Sequence, residues 1–103
     1  MGSYVKGFQT KGVMTVAKHF GLNSQETDRD FVNAIVPDAR ALFEVYHVPY
    51  KAAVAAGAAA FMCSYNLVNG SHACSSGQLL GRDLKTAMAY EGFVMSDWWA
   101  AHN

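Results

Sequence analysis

In Ala59-Ala60-Phe61-Met62-Cys63-Ser64-Tyr65-Asn66, an apolar run of strand length ends abruptly in polar side chains, and this segment is the most informative one for the architecture. Its first five residues show no alternation of apolar and polar side chains, which is typical of a strand covered on both faces of a parallel sheet. Parallel sheets place reactive groups at the carboxyl ends of their strands. We therefore predict a strand at 59–63 and a candidate site just after it.

The same pattern occurs on either side of this strand. Towards the amino end, the apolar and partly β-branched run 12–17 ends in Lys18-His19. Towards the carboxyl end, the run 93–95 leads into Ser96-Asp97-Trp98. The carboxyl ends of parallel strands meet at one edge of a sheet, so we expect these polar residues to converge with Tyr65-Asn66.

Two predicted helices separate the three strands. The first begins near Pro37, which suits a first-turn position, and Asp38, whose charge favours the positive end of the helix dipole. Pro49 predicts a kink or break, after which the helix resumes at 50–56 and ends at Gly57. The apolar face predicted for this first helix consists of Leu42, Val45, Tyr46 and Pro49.

A second amphipathic helix follows and closes at the turn Glu91-Gly92. Two polar segments, 23–30 and 66–77, lack periodicity and are predicted to be loops. Three strands that alternate with two helices indicate consecutive βαβ units, so the predicted fold class is α/β with a parallel sheet. The apolar residues of the second helix are Leu79, Leu80, Leu84, Ala87 and Met88.

Composition limits the classes of partner. The 103 residues are 51% hydrophobic and 16% charged, which is typical of a globular chain. Eight basic residues balance eight acidic ones, so we expect no nucleic-acid partner and no membrane partner. The apolar run 52–63 is interrupted by Gly57 and is too short to span a bilayer. The start, Met1-Gly2-Ser3, carries no secretion signal and is expected to be an added linker or a cut within a longer gene.

The two cysteines, Cys63 and Cys74, are too few for a disulfide framework and lack the spacing of zinc ligands. They either pair across the loop between them or remain two thiols, and the sequence leaves both alternatives open. Asn69-Gly70-Ser71 is a glycosylation sequon in a secreted protein, and its residues also favour an Asn-Gly turn.

The chemistry of the strand ends leaves several roles open. Asp97 followed by Trp98 suits sugar binding, because the apolar face of a pyranose stacks on an aromatic ring while its hydroxyls bind charged groups. An Asp after a strand is also a common turn or cap residue, and we expect Trp99 in the core or at a rim. Lys18 can be a Schiff-base nucleophile, and His19 can be a core histidine. These residues alone do not separate an aldolase from a glycosidase on the same fold.

Taken in order, the three strand ends resemble family 3 glycoside hydrolases of the β-glucosidase type. The resemblance covers nearly the whole chain, and the ordered set of segments is more specific than any one of them. The segments that carry it are Gly12-Val13-Met14-Thr15-Val16-Ala17-Lys18-His19-Phe20, Met62-Cys63-Ser64-Tyr65-Asn66 with Val68-Asn69-Gly70, and Gly92-Phe93-Val94-Met95-Ser96-Asp97-Trp98. The helical segment 40–54 and the loop residues Gln25-Glu26-Thr27 and Arg29 are similar as well.

This resemblance implies that residues 1–103 are an incomplete (β/α)8 TIM barrel, from about its fifth to its seventh strand. A full barrel needs about 250 residues, so the remainder of the barrel is an expected partner. The implied activity is retaining hydrolysis of terminal β-D-glucosyl residues, with Asp97 as the nucleophile that forms a glycosyl-enzyme intermediate. The implied substrate-binding residues are Lys18, His19, Met62, Tyr65, Trp98 and Arg29. Arg29 has the alternative role of orienting its loop.

A retaining glycosidase needs a second carboxyl group about 5 to 5.5 Å from the first. Glu26, Glu44 and Glu91 do not fit this role, so the resemblance implies a second domain that supplies the acid/base. The isolated chain is then expected to be inactive, and the chemistry needs no metal or organic cofactor. The expected location of the parent protein is extracellular.

Two alternatives stay open within this interpretation. One is a non-catalytic sugar-binding or folding fragment, and the other is a β-xylosidase-type member of the same family. Trp98 argues against the second, because the xylosidase type carries Cys at that position. The segment 21–26 lacks the Gly-His-Gly-Asp of the N-acetylglucosaminidase type, which argues against that branch.

Overall fold

The computed structural model describes residues 1–36 and 38–102. Its strands are β1 (Val16–Phe20), β2 (Asn33–Ala34), β3 (Ala60–Cys63), β4 (Leu67–Val68), β5 (Ser71–His72) and β6 (Phe93–Ser96). Its helices are α1 (Gly2–Gln9), α2 (Ala39–Ala41, continued with wider turns over Leu42–Tyr46), α3 (Val48–Ala55) and α4 (Gly77–Ala87, wound with the same wider turns along its length), with a short 3-10 turn at Ala73–Ser75. The main sheet is parallel in the order β1-β3-β6. This confirms the predicted α/β class.

The two faces of the main sheet differ in what covers them. Ala17, Phe61 and Val94 share one row of the sheet, and they pack into the core against the helices. The opposite face carries the row Lys18, Met62 and Met95, in which the two outer residues are exposed. The chain therefore covers one face of its sheet with helices and leaves the outer strands of the other face open.

The amino-terminal part differs from the sequence prediction. A helix that the sequence prediction missed, α1, begins at Gly2, which packs so tightly on α3 that a Cβ there would lie 2.8 Å from the Ala52 carbonyl oxygen. The first strand was predicted at 12–17 but begins at Val16, because a turn that includes Gly12 at φ +73° separates α1 from the strand. Lys18 and His19 therefore lie inside β1.

The first predicted helix is divided in two at His47. A wide turn, in which the His47 N–H donates to the Leu42 carbonyl at 2.8 Å, ends one half, and Pro49 lies in the first turn of α3. The wide turn changes which side chains of the helix face the core. Val45 and Tyr46 are therefore exposed, contrary to the prediction. The Asp38 carboxylate caps α2 by accepting from the Ala41 N–H at 2.7 Å, as its position predicted. Pro37 lies outside the described residues.

The second predicted helix is confirmed as α4. Leu79, Leu84 and Met88 are buried and Leu80 packs against them, whereas Ala87 is exposed and was wrongly placed on the apolar face. The side chain of Ser76 caps this helix by accepting from the Leu79 N–H at 3.1 Å.

The predicted loop 66–77 contains structure that the sequence prediction missed. β4 and β5 form a hairpin, which joins β2 in a second small sheet. Its turn is Asn69-Gly70, with φ of 48° and 86°, which confirms the Asn-Gly turn. After this hairpin, Cys74 forms a disulfide with Cys63 across a Cα–Cα distance of 5.2 Å. Of the two alternatives for the cysteines, the structure therefore shows the paired one.

No helix within residues 1–36 and 38–102 is both long and apolar enough to cross a bilayer.

Candidate functional site

The carboxyl ends of β1 and β6 bring His19 and Asp97 together. Asp97 follows β6 directly, and its N–H donates to the Cys63 carbonyl at 3.3 Å, which ties it to the central strand. His19 Nε2 lies 3.0 Å from Asp97 Oδ2. The backbone N–H of Trp98 donates to Asp97 Oδ1 at 2.8 Å. Because both carboxylate oxygens have a partner, the Asp97 side chain is held in one orientation.

Tyr65, at the end of β3, lies beside this carboxylate. Burial of its side chain and the nearby Asp97 charge raise the pKa of the Tyr65 hydroxyl above its ordinary value. The hydroxyl therefore stays protonated at neutral pH and is available as a donor next to Asp97.

Arg29 joins the first loop to this group. Its guanidinium carbon lies 4.1 Å from the centre of the Tyr65 ring, which is a cation–π contact. Its Nη1 donates to Glu26 Oε2 at 2.8 Å, and this bond raises the pKa of Arg29. Asn23 donates to the other Glu26 oxygen at 3.0 Å. The loop therefore places the Arg29 guanidinium against the Tyr65 ring, which lies beside Asp97.

A cleft of about 880 Å³ opens next to these residues. Arg29 and Tyr65 line it on one side, and the two tryptophans, His72 and His102 complete much of the wall. Trp98 is 74% exposed and Trp99 is 85% exposed, with ring centres 5.8 Å apart and ring planes inclined by 76°. Trp99 therefore lies at a rim and not in the core. Two open aromatic faces at an angle suit the apolar face of a sugar ring.

Lys18 and Met62 lie within the main sheet, just before the strand ends that carry His19 and Tyr65. They are register partners on the open face of the sheet, in line with Met95, which precedes Asp97 by two residues. Met62 is half-buried and Lys18 is exposed. The structure thus brings His19, Tyr65, Arg29 and Asp97 into one group, with Trp98 bordering the adjacent cleft and with Lys18 and Met62 on the neighbouring open face.

The three glutamates considered as acid/base lie elsewhere. Glu26 is held by Arg29, and Glu44 is paired with Arg40 at 2.9 Å on the outer helix. Glu91 is exposed before the amino end of β6, away from Asp97. In the part of the chain that the structure describes, no group of three or more His, Cys, Asp or Glu side chains could hold a metal ion.

Sequence reasoning missed three residues that border the site. The imidazole rings of His72 and His102 stack at 3.9 Å along the cleft, and the Tyr50 hydroxyl donates to the His19 carbonyl at 2.6 Å. Nothing in their spacing signals these contacts, because each depends on how a distant helix or loop packs.

Comparison with known proteins gives a consistent result over the full length. All of residues 1–103 match the family described as "Glycosyl hydrolase family 3 N terminal domain". A probable beta-glucosidase L from Aspergillus terreus is 43% identical over 103 residues, which cover 100% of this chain and 14% of that protein. The chain thus spans about one seventh of the length of this curated relative.

Solved structures of β-glucosidases have the same fold over this segment. The β-D-glucoside glucohydrolase from Trichoderma reesei is 42% identical with a TM-score of 0.95, covering 98% of this chain and 14% of that one. DesR, a β-glucosidase from Streptomyces venezuelae in complex with D-glucose, is 45% identical with a TM-score of 0.92, covering 96% of this chain and 13% of that one. The amino-terminal domain of these enzymes is a TIM barrel, so the predicted barrel segment is confirmed. With its full length matched, the chain belongs to glycosyl hydrolase family 3, within the N-terminal domain.

Proposed function

We propose that this chain is the nucleophile-bearing part of a retaining β-glucosidase. The observation that carries the proposal is the Asp97 carboxylate, which is held by His19 and by the Trp98 N–H and lines a cavity of about 490 Å³ together with the two open tryptophan rings. The names of the relatives support the activity, and the complex of one of them with D-glucose supports the sugar. Other parts of a larger enzyme are the proposed partners, because the relatives are about seven times longer than the segment that matches.

In this proposal, Asp97 attacks the anomeric carbon and forms an ester bond while the bond from that carbon to the leaving oxygen breaks. The leaving oxygen takes its proton from an acid supplied by a second domain. Water then attacks the same carbon, the same group removes a proton from the water, and Asp97 is released as a carboxylate. The configuration at the anomeric carbon is retained because it is inverted twice.

The other side chains of the site bind the sugar in this proposal. His19 and Tyr65 flank the nucleophile and offer donors to the sugar hydroxyls. Trp98 stacks on the pyranose face, and Lys18 and Met62 contact the sugar from the open face of the sheet. Arg29 contributes through Tyr65, whose ring it covers, and through any hydroxyl that reaches its guanidinium. These assignments rest on the position and chemistry of each side chain, and substituting that residue tests each of them.

A chimeric enzyme tests the activity. Residues 1–103 replace the matching segment of the Trichoderma reesei enzyme, and the anomer first released from an aryl β-glucoside is followed by NMR. We expect β-glucose, and we expect Asp97→Asn to lower kcat by roughly three orders of magnitude or more. Glu91→Gln, a charge-matched change on an exposed residue far from the site, should leave kcat unchanged. Release of α-glucose first, or an active Asp97→Asn chimera, would contradict the proposal.

The isolated chain is proposed to be inactive, because Glu26, Glu44 and Glu91 are each placed away from a role as acid/base. Turnover of an aryl glucoside by residues 1–103 alone would disprove this. Saturable glucose binding without turnover would support the alternative of a sugar-binding fragment. Faster turnover of an aryl xyloside than of the glucoside by the chimera would favour the xylosidase alternative.

An extracellular location is also proposed. The Cys63–Cys74 disulfide supports it, because disulfides persist in oxidising compartments and are rare in the cytosol.

A further inference from the structure

The ladder between β1 and β3 is interrupted at His19. Lys18 pairs with Met62 and Phe20 pairs with Cys63, so three residues of β1 lie opposite two of β3. His19 is the extra residue and has no partner in the register. An extra residue of this kind bends its strand locally and turns its side chain to a new direction, and such bulges are frequent beside active sites. Here the side chain turned by the irregularity is the one that meets Asp97.

The backbone carbonyls at the carboxyl end of β1 and just after it accept hydrogen bonds both from a backbone N–H and from side-chain hydroxyls. The Phe20 carbonyl accepts from the Ser64 N–H at 2.8 Å, and the Gly21 carbonyl accepts from the Ser64 hydroxyl at 2.9 Å. The carbonyl of the unpaired His19 accepts at 2.6 Å from the hydroxyl of Tyr50, which lies on α3 and 31 residues away in sequence. A side chain from the helix layer thus supplies a hydrogen bond at the one residue that has no register partner in β3.

The Tyr50 ring is itself fixed. Its edge meets the Phe20 ring with centres 5.0 Å apart and planes inclined by 83°, and the Phe61 ring lies 6.0 Å away. Burial raises the pKa of Tyr50, so its hydroxyl stays protonated and remains a donor across the neutral range. The donor is therefore held in place by the core.

We propose that Tyr50 is a positioning residue for the reaction. Its hydroxyl fixes the irregular turn of β1 so that the His19 imidazole meets the Asp97 carboxylate. This rests on the proposed function, in which Asp97 is the nucleophile and His19 its partner. Tyr50 touches neither the sugar nor the reacting atoms; it acts through the backbone of His19.

The test compares two tyrosines that make similar bonds. Tyr50→Phe removes the hydroxyl at His19, and Tyr90→Phe removes a hydroxyl whose single proton is shared between the Ala59 carbonyl at 2.9 Å and the Phe93 carbonyl at 3.1 Å, at the other end of the strands. The measurement is NMR of ¹⁵N-labelled protein. It records the ¹H–¹⁵N signal of the His19 imidazole Nε2–H and the rate at which that proton exchanges with water. Asp97→Asn identifies the signal, because it removes the carboxylate that accepts from Nε2.

We expect the wild type and Tyr90→Phe to share one His19 signal. In Tyr50→Phe the signal should shift, and its proton should exchange roughly tenfold faster, as the loss of one hydrogen bond of ordinary strength implies. Equal signals and exchange rates in the two Phe variants would overturn the proposal, since the hydroxyl would then serve stability alone. A wild type without a protected Nε2 proton would also overturn it.

A second variant keeps the proposal testable if Tyr50→Phe does not fold. 3-Fluorotyrosine at position 50 retains the ring and makes the hydroxyl a more acidic donor. We expect slower exchange of the His19 Nε2 proton, and unchanged exchange would overturn the proposal. These readouts do not depend on turnover. A chimera that fails to hydrolyse glucosides would sink the proposed function, whereas an unchanged His19 signal would sink only the role of Tyr50.

Discussion

Acid should destabilise this fold through His47, which is buried at the junction of α2 and α3, where it faces Asp83 of α4. Its ring is 1% exposed, and its Nε2 lies 3.5 Å from Asp83 Oδ2, whose other oxygen accepts from Arg82 at 2.8 Å. Its Nδ1 is buried and has no partner in the part of the chain that the structure describes. A second proton on this ring would therefore sit on a nitrogen with no acceptor, beside the cations Arg82 and Lys51.

The sign follows from these contacts. Burial, as the largest effect, lowers the pKa of His47 in the folded state below the ordinary value of 6.5, although Asp83 opposes the shift. Below that pH the unfolded chain binds a proton that the folded chain does not. The stabilising contribution of His47 is therefore complete above about pH 6.5 and is lost as the pH falls towards the folded-state pKa. The largest loss that one histidine can cause between about pH 7.5 and about pH 5.5 is about 1.4 kcal/mol, which is the limit for a ring that stays neutral in the folded state.

Urea unfolding measures this effect. Circular dichroism is the better signal for it than fluorescence, because both tryptophans are already exposed in the folded state. His47→Gln keeps an amide near Asp83 but cannot titrate. Over this interval the free energy of unfolding of the wild type should fall further than that of His47→Gln, by no more than about 1.4 kcal/mol. Equal slopes for the wild type and His47→Gln would show that His47 does not cause the loss of stability in acid.

Two further predictions concern stability. Replacing Cys63 and Cys74 together by Ser should lower the free energy of unfolding by about 3 kcal/mol, because the disulfide closes a loop of sequence separation 11; a reducing agent should do the same to the wild type and nothing to the double variant. Equal stability of the two proteins under oxidising conditions would contradict this. Phe61→Ala should lower the free energy of unfolding by about 3 to 5 kcal/mol, because the Phe61 ring is fully buried and lies 4.7 Å from the Tyr90 ring. Phe31→Ala, at a side chain that is 84% exposed, should change it by no more than about 0.5 kcal/mol, and similar losses for the two Phe variants would show that the core is wrongly assigned.

The parallel sheet could be predicted because its strands are short apolar runs with polar ends. The second strand was predicted at 59–63 and lies at Ala60–Cys63, and the third was predicted at 93–95 and lies at Phe93–Ser96. The first strand was displaced because the apolar run 12–17 reads the same whether it belongs to a turn or to a strand. The helix α1 was missed, since its first residues were taken for a linker.

Irregular and very short elements could not be predicted from the periodicity of apolar residues. β2, β4 and β5 have two residues each, which is too few for any periodicity, although Asn69-Gly70 did mark the turn between the last two. The wide helical turn at Leu42–Tyr46 changed which side chains face the core, and a rule based on three- and four-residue steps cannot detect it.

The candidate site was predictable where it depends on sheet geometry alone. The convergence of His19, Tyr65 and Asp97 follows from three parallel strands whose polar ends share one edge. The stacking of Arg29 on Tyr65 and the bond from Tyr50 to His19 were not predictable, because both join elements that are distant in sequence through tertiary packing.

Covalent labelling of the chimera shows which carboxylate is the nucleophile, which is Asp97 in the proposed mechanism. The chimera that carries residues 1–103 is treated with a 2-fluoro-β-glucoside whose activated leaving group needs no acid, and intact mass and peptide mapping follow. We expect one sugar per chain, attached at Asp97, no label in Asp97→Asn, and normal labelling in Glu91→Gln. A chimera that hydrolyses glucosides but carries its label on another carboxylate, or that is labelled equally in Asp97→Asn, would contradict this expectation.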